Sequence, residues 1–411
     1  MLRPSCSWSF LIVLMLALGL GPGCVNKPYR PPPVLHEGYS LASQREAMAL
    51  TARLSPAGQE LSSWLDLWEP LVHTLAFLRT KRQDEAAVLR GDVQVTWGRL
   101  TSSVMRLLWL LPRLDAEPGL LAREFAWYRL GPEPVLTGYY APVIDASTKP
   151  DDVYRYPLYA VPPDLKRINL DIQRPEWRGQ VQYYRVAGTE IVPYYSRKEI
   201  ELDGVLAGRD LEIAWAKDPL DLFYLHVQGS GYLRLPDGNL VKAQYGSKNG
   251  RPFKSISQVL LEKGQLRSGE LNRERIRACL EANPDKRYEW LAENESFIFF
   301  QLGQGQPRGA MGQPLTAMVS LASDPRIMPL GALMAYAADL PATHPGGTPR
   351  RVFGLGLAQD TGSAIKGNRF DLFCGVGQER EYMASRIKVG TTVYLLLSRD
   401  QAPTEDPVTQ P

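Results

Sequence analysis

Apolar positions fall into three regimes along the chain. Phe10 to Leu20 is almost unbroken apolar sequence. From about Ser40 to Leu130 apolar residues recur at helical spacing, and from Val135 they gather into short β-branched and aromatic runs. In the second regime Leu107, Leu108, Leu110, Leu111 and Leu114, with Trp109, predict an apolar helix ending near Pro112. Leu120 to Leu130 predicts a short amphipathic helix stopped by Gly131 and Pro132. The third regime opens with Val135-Leu-Thr-Gly-Tyr-Tyr-Ala-Pro-Val143, which reads as strand, as do Tyr156–Tyr159 and Leu222–Val227. Asp237-Gly238 between Leu233–Leu235 and Leu240–Val241 is a hairpin signal, and Ser196-Arg-Lys-Glu199 is a capping box opening a helix. Helices are predicted again at Ser257–Lys263 and Arg273–Glu281. Strands are predicted at Phe297–Phe300, Thr316–Val319, Gly331–Ala337, Phe353–Ala358 and Thr392–Leu397. Thr343–Arg350 reads as a loop, the last dozen residues read as a polar tail, and no internal repeat is present.

The N-terminal regime changes the picture most. Arg3 precedes the apolar run, Gly21 and Gly23 follow it, and Cys24 comes next. About eleven apolar residues are too few to span a bilayer, so residues 1–23 read as a secretory signal. A Cys at that place resembles the lipobox of bacterial lipoproteins, in which it becomes the acylated first residue, although Gly21 stands where Leu is usual there. Val25 in place of Asp implies, on the same resemblance, sorting to the outer membrane. Residues 24–39, with Pro28 and Pro31 to Pro33, read as a stiff tether. The net charge of +3 argues against a nucleic-acid partner. Cys279 and Cys374 remain for the mature body, either as one disulfide or as two buried thiols. No CxxC, HExxH or EF-hand loop occurs, so neither a metal nor a cofactor is expected.

Candidate chemistry concentrates at Ala358-Gln-Asp-Thr-Gly-Ser-Ala-Ile-Lys-Gly367 and Phe370-Asp-Leu-Phe-Cys-Gly375. An Asp between an apolar strand and Thr-Gly sits where a carboxylate can enter a cleft and substrate can approach the backbone. The same Asp can instead cap the turn with its carboxylate. Asp-Thr-Gly-Ser is also a signature of aspartic proteases. Those need two carboxylates sharing a proton, whereas this chain carries one such motif and places Gln359 where an apolar residue is expected.

Other motifs accompany it in order: Thr137-Gly-Tyr-Tyr-Ala-Pro142, Phe223-Tyr-Leu-His-Val-Gln-Gly-Ser-Gly231, Tyr245-Gly-Ser-Lys-Asn-Gly250, Asn294-Glu-Ser-Phe-Ile-Phe-Phe-Gln301, Gly309-Ala-Met-Gly-Gln-Pro-Leu-Thr316 and Ser320–Gly331. Together, from about Val135 to Leu397, they resemble the MltA type of membrane-bound lytic murein transglycosylases. The C-terminal part resembles the three-Asp (3D) domain. The resemblance implies a mainly β fold with N-terminal helices. In it a double-psi β-barrel domain (residues 40–141 and 294–398) is interrupted by a smaller β-rich domain (142–293), with a glycan groove between them and a tail over 399–411. Ser363, Cys374 and Ser323 depart from the family pattern without removing a carboxylate.

The resemblance further implies a lyase acting on peptidoglycan glycan strands from the periplasm, tethered by lipid to the outer membrane of a Gram-negative-type bacterium. Asp360 is its expected acid, with Asp371 and Asp324 in support. Tyr139 and Tyr140 are candidate sugar-stacking residues, or else core. Gln228, Gly229, Ser230, Gly231, Tyr245, Thr361 and Gly362 are expected to line the groove. Lys366 meets a peptide carboxylate or is merely solvated. His226, among apolar neighbours, reads as a packing histidine rather than a base. One acid suffices when the C6 hydroxyl of the same N-acetylmuramic sugar attacks, because intramolecular attack brings a high effective concentration. Such an acid needs a pKa above about 3.9. A non-catalytic peptidoglycan-binding lipoprotein on the same scaffold is the alternative.

Overall fold

The computed structural model describes residues 38–90, 93–170, 181–362 and 364–399. The signal, Cys24, the tether up to residue 37, Ser363 and the tail from residue 400 lie outside the described residues. No helix among the described residues is long and apolar enough to cross a membrane.

Six strands close into a ring, in the order Lys388–Ser398, Leu333–Leu340, Arg350–Asp360, Ser320–Ala322, Arg369–Val376 and Val135–Ala141. The last of these returns to the first, with Lys388 to Gly390 pairing antiparallel to Thr137 to Val135. The far end of the same strand, Tyr394 to Ser398, pairs with Arg129 to Phe125, and Gly38–Leu41 pairs beyond that. Helix Trp97–Leu114 buries Leu100, Val104, Leu107, Leu108, Leu111 and Leu114 in the core it shares with the ring, and leaves Trp109 on its exposed face. Its apolar stripe repeats every three or four residues, so burial of that face holds the helix in place. Gln59 is buried beside Leu355, whose N–H it accepts and whose carbonyl it donates to, both at 2.7 Å. This amide imitates a strand partner, and only glycine fits at 354, where a Cβ would lie 2.4 Å from it.

Between the ring strands Val135–Ala141 and Ser320–Ala322 the chain builds a second sheet. It runs Ile298–Gly303, Leu240–Lys248, Gly231–Arg234, Val143–Ser147, Glu212–Ala216 and Tyr156–Tyr159. Ile144, Leu158, Leu225, Leu233 and Phe300 are buried in a core of its own. Because Ile298–Gly303 pairs with Leu240–Lys248, this sheet runs past the expected boundary at residue 293.

Three expected elements change type. Phe125–Gly131 is strand, not helix: helix Leu120–Glu124 stops, and the aromatic run finds a long-range partner in Tyr394–Ser398. Leu222–Val227 lies in helix Pro219–Gln228, not in a strand. Asp218 caps the N–H groups of Leu220 and Asp221 at 2.9 Å, Pro219 takes the first turn, and Gly229 ends the helix at φ 80°. Thr316–Val319 is a turn with Met318 at φ 62°, and the strand begins only at Ser320. The Trp97 helix also runs through Pro112 to Leu114. The capping box at Ser196, the helix Arg273–Glu281 and the hairpin around Asp237-Gly238 form as expected. Cys279 and Cys374 are free thiols.

Candidate active site

Asp360 is the last residue of its strand, at the point where the ring opens toward the second sheet. Across the ring its register partner is Ala322, which pairs on its other side with Asp371, and Asp371 in turn pairs with Thr137. Two strand spacings put the two aspartates about 10 Å apart across the sheet.

Each oxygen of Asp360 is occupied. Oδ1 accepts from the N–H of Ala310 at 2.9 Å and of Thr361 at 2.8 Å, and Oδ2 accepts from the Tyr139 hydroxyl at 2.9 Å. Burial nevertheless outweighs these three donors and pushes the carboxyl up to about 6. Burial, then the Asp360 charge, holds the Tyr139 phenol far above its ordinary value, so it stays a donor. Ala310 reaches the acid because Gly309 crosses tight against the strand end; a Cβ at 309 would lie 2.5 Å from the Gln359 carbonyl.

The strand end is fastened from behind. Gln359 is buried, and its amide donates to the Thr74 hydroxyl at 2.9 Å and the Pro70 carbonyl at 3.1 Å while accepting from Ser320. Helix Trp68–Leu78 thereby holds the residue that precedes the acid. The Ser323 N–H donates to the Asp360 carbonyl at 3.1 Å.

The three expected aspartates differ in state. Burial pushes Asp371 up to about 6, against the Thr137 hydroxyl that it accepts from at 2.7 Å and the Arg369 charge, and the Asp360 charge raises it further. Asp324 goes the other way. Burial raises its carboxyl too, but Arg326 and the N–H groups of Gly367 and Arg326 win and hold it at about 2. Asp324 is therefore an ionised anchor for the loop that follows Asp360, not a proton source.

A cleft of about 440 Å³ adjoins Asp360. Thr361 and Gly362 line it from the ring; Gln228, Gly229, Ser230 and Tyr245 line it from the second sheet and its helix. Gly231 does not line it. Its backbone lies against the Pro142 carbonyl, where a Cβ would come within 2.6 Å. Tyr139 packs on Phe373, with ring centroids 5.3 Å apart, and serves Asp360 rather than offering a stacking face. Tyr140 is buried with its hydroxyl accepting from Arg273 at 2.6 Å, so it presents no open ring to a sugar. Lys366 is exposed outside the cleft lining. His226 lines the cleft from a helix instead of a strand. Its Nδ1 accepts from the Ile298 N–H at 3.2 Å, and burial holds its pKa far down, so it is neutral. Ala310, Gln359, Lys248 and Arg308 were not legible as site residues. The Gly309-Ala motif was the one available signal for Ala310.

Residues 135–301 match the family profile described as the MltA specific insert domain, and residues 319–397 match the 3D domain. Over 278 residues the chain is 31% identical to membrane-bound lytic murein transglycosylase A of Vibrio cholerae, spanning 66% of this chain and 67% of that protein. Its fold is similar to a crystal structure of a membrane-bound lytic murein transglycosylase from Agrobacterium tumefaciens. That match has a TM-score of 0.72 and 30% identity and covers 88% of this chain and 98% of that one. It is also similar in fold to Escherichia coli MltA with bound chitohexaose, at a TM-score of 0.60 and 24% identity, over 82% of this chain and 90% of that one.

Proposed function

Because the chain belongs to the MltA family of membrane-bound lytic murein transglycosylases, we propose that it cleaves peptidoglycan between N-acetylmuramic acid and N-acetylglucosamine with Asp360 as its single acid and base. The observation that carries this reading is the state of Asp360. It sits at a cleft, its pKa is raised to about 6, and no other Asp or Glu lines that cleft among the described residues.

Protonated Asp360 gives its proton to the glycosidic oxygen as the bond from C1 of the muramic sugar breaks. The C6 hydroxyl of that sugar attacks C1, and the Asp360 carboxylate takes the hydroxyl proton. The acid is restored, no water is consumed, and a 1,6-anhydro end forms. Between the two transfers Ala310, Thr361 and Tyr139 stabilise the carboxylate by three hydrogen bonds. A pKa near 6 lies close to a neutral working pH, which suits one group for both transfers. Gln228, Ser230 and Tyr245 offer polar contacts to the glycan, and Gly229, Thr361 and Gly362 offer backbone. Asp371 tunes the acid, and Asp324 fixes the loop after it.

The same reading takes the six-stranded ring as a double-psi barrel and the segment from residue 142 as its insertion. It also takes Cys24 as the lipid attachment to a periplasmic face of the outer membrane, in keeping with the membrane-bound relatives.

Asp360→Asn preserves size and hydrogen-bonding reach but removes the proton. General acid–base catalysis supplies about two to four powers of ten, so turnover on purified murein falls by at least that much while chitohexaose binding survives. Mass spectrometry of wild-type products finds ends lacking the water that hydrolysis adds. Hydrated reducing ends, or an active Asp360→Asn protein, overturn the mechanism. Glycan binding without any cleavage by the wild-type protein would instead make it a binding lipoprotein.

A further inference from the structure

Ion pairing is unevenly distributed in this molecule. Away from the cleft Arg273 pairs with Asp221 and Glu381, and Lys254 with Glu262 and Glu293; within the cleft lining Arg197 pairs with Glu201. The other two cations of the lining have no such partner. Lys248 from the second sheet and Arg308 from the loop leading to Gly309 both line it, and Lys366 lies close enough to Lys248 to depress its pKa after burial has done so. Behind them Lys242 is buried at 2% exposure with its ammonium on the Gln306 carbonyl at 2.6 Å, lowered by burial and then by Arg308. No Asp or Glu lies within ion-pair distance of these four cations among the described residues. The one carboxylate lining the cleft, Asp360, takes its hydrogen bonds from Ala310, Thr361 and Tyr139 instead.

Lys248 is opposed by Lys366 and Lys242 by Arg308, two like-charged pairs without a counter-charge, and a cleft with low-dielectric walls focuses their field. An incoming anion removes that repulsion. A neutral polysaccharide gains nothing from it. We propose that the cleft is built for a glycan bearing carboxylates, and that Lys248 and Arg308, backed by Lys366 and Lys242, bind a carboxylate carried on the lactyl arm of the substrate. This rests on the reading of the cleft as the site of murein cleavage. Two sources share the chemistry: the lactyl carboxylate of a bare strand, or a carboxylate of the peptide attached to it. Lys248 also faces the Tyr183 ring at 5.7 Å, which steadies the ammonium without neutralising it.

The test measures kcat/KM of the full chain on murein and on the same murein whose carboxylates have been amidated with an uncharged amine. Wild-type protein prefers the charged form. A hydrogen bond to a charged group is worth about one power of ten, so Lys248→Gln and Arg308→Gln each reduce that preference about tenfold. The double variant abolishes it, and Lys248→Arg keeps it. Added salt erodes the wild-type preference through screening. Strands stripped of peptide by an amidase, charged or amidated in the same way, separate the sources: a preference on the stripped strands alone assigns the lactyl carboxylate, and one on intact murein alone assigns the peptide. Equal wild-type rates on the charged and amidated forms of both substrates, or a preference untouched in the double variant, overturn the proposal. If wild-type protein cleaves no murein of either kind, the underlying function falls, and this inference with it.

Discussion

At Asp360 burial and hydrogen bonding pull in opposite directions, and the proposed reaction depends on their balance. The acid form does the work, so kcat/KM falls as pH rises through about 6. Tyr139 donates to the charged form and therefore lowers the pKa; Tyr139→Phe moves this alkaline limb to higher pH. Asp371 acts with the other sign. The Asp360 charge adds to the burial that raises Asp371, and because such an interaction is reciprocal an ionised Asp371 opposes ionisation of Asp360. Asp371→Asn removes that repulsion and moves the limb to lower pH, with a reduced rate and the same product. Parallel pH profiles of the two variants check both signs, and shifts in the same direction would refute the arrangement. Asp360 was readable because Asp-Thr-Gly keeps strand end and turn adjacent in sequence. The Tyr139 hydrogen bond was not readable, because residues 139 and 360 meet only through ring closure.

At the scale of elements, the strand Arg350–Asp360 works as a shaft whose working end is clamped by helix Trp68–Leu78 through Gln359. Gln359→Leu leaves the Thr74 and Ser320 hydroxyls and the Pro70 carbonyl without their buried partner. That loss costs about 2–4 kcal/mol, read as a lower urea midpoint, with kcat falling more than binding because the acid loses its seat. An unmoved midpoint would mean the clamp is idle. The sequence reading recognised the helical character of this region but no motif in it. Its contribution to the site is one buried amide contact made across most of the chain. The Leu222–Val227 error has a similar lesson: a six-residue apolar run has no period long enough to choose between helix and strand. The choice lay in the flanking Asp218, Pro219 and Gly229. Phe125–Gly131 was misread for the opposite reason, since its strand partner lies near the end of the chain.

For the whole molecule, the mainly β character and the ordered motifs were legible, and ring closure was not, because pairing across hundreds of residues leaves no local pattern. Attachment is the property of the whole chain most open to a direct test. On the proposal that Cys24 carries the lipid, Cys24→Ser is expected to move the protein from membrane to soluble fraction with the proposed murein-cleaving activity intact, whereas persistent membrane association would rule out a tether made of lipid alone. The closing strand Lys388–Ser398 has a further consequence. It touches Val135–Ala141, Phe125–Gly131 and Leu333–Leu340 at once, yet among the described strands it is the last to leave the ribosome. Until it arrives, Tyr139 and Asp360 are joined by an open sheet only, and long-range closure of this kind is slow. A partly made chain that lacks this strand therefore carries Asp360 without the closed ring around it, and the proposed capacity to cut murein ripens only once Lys388–Ser398 has been made.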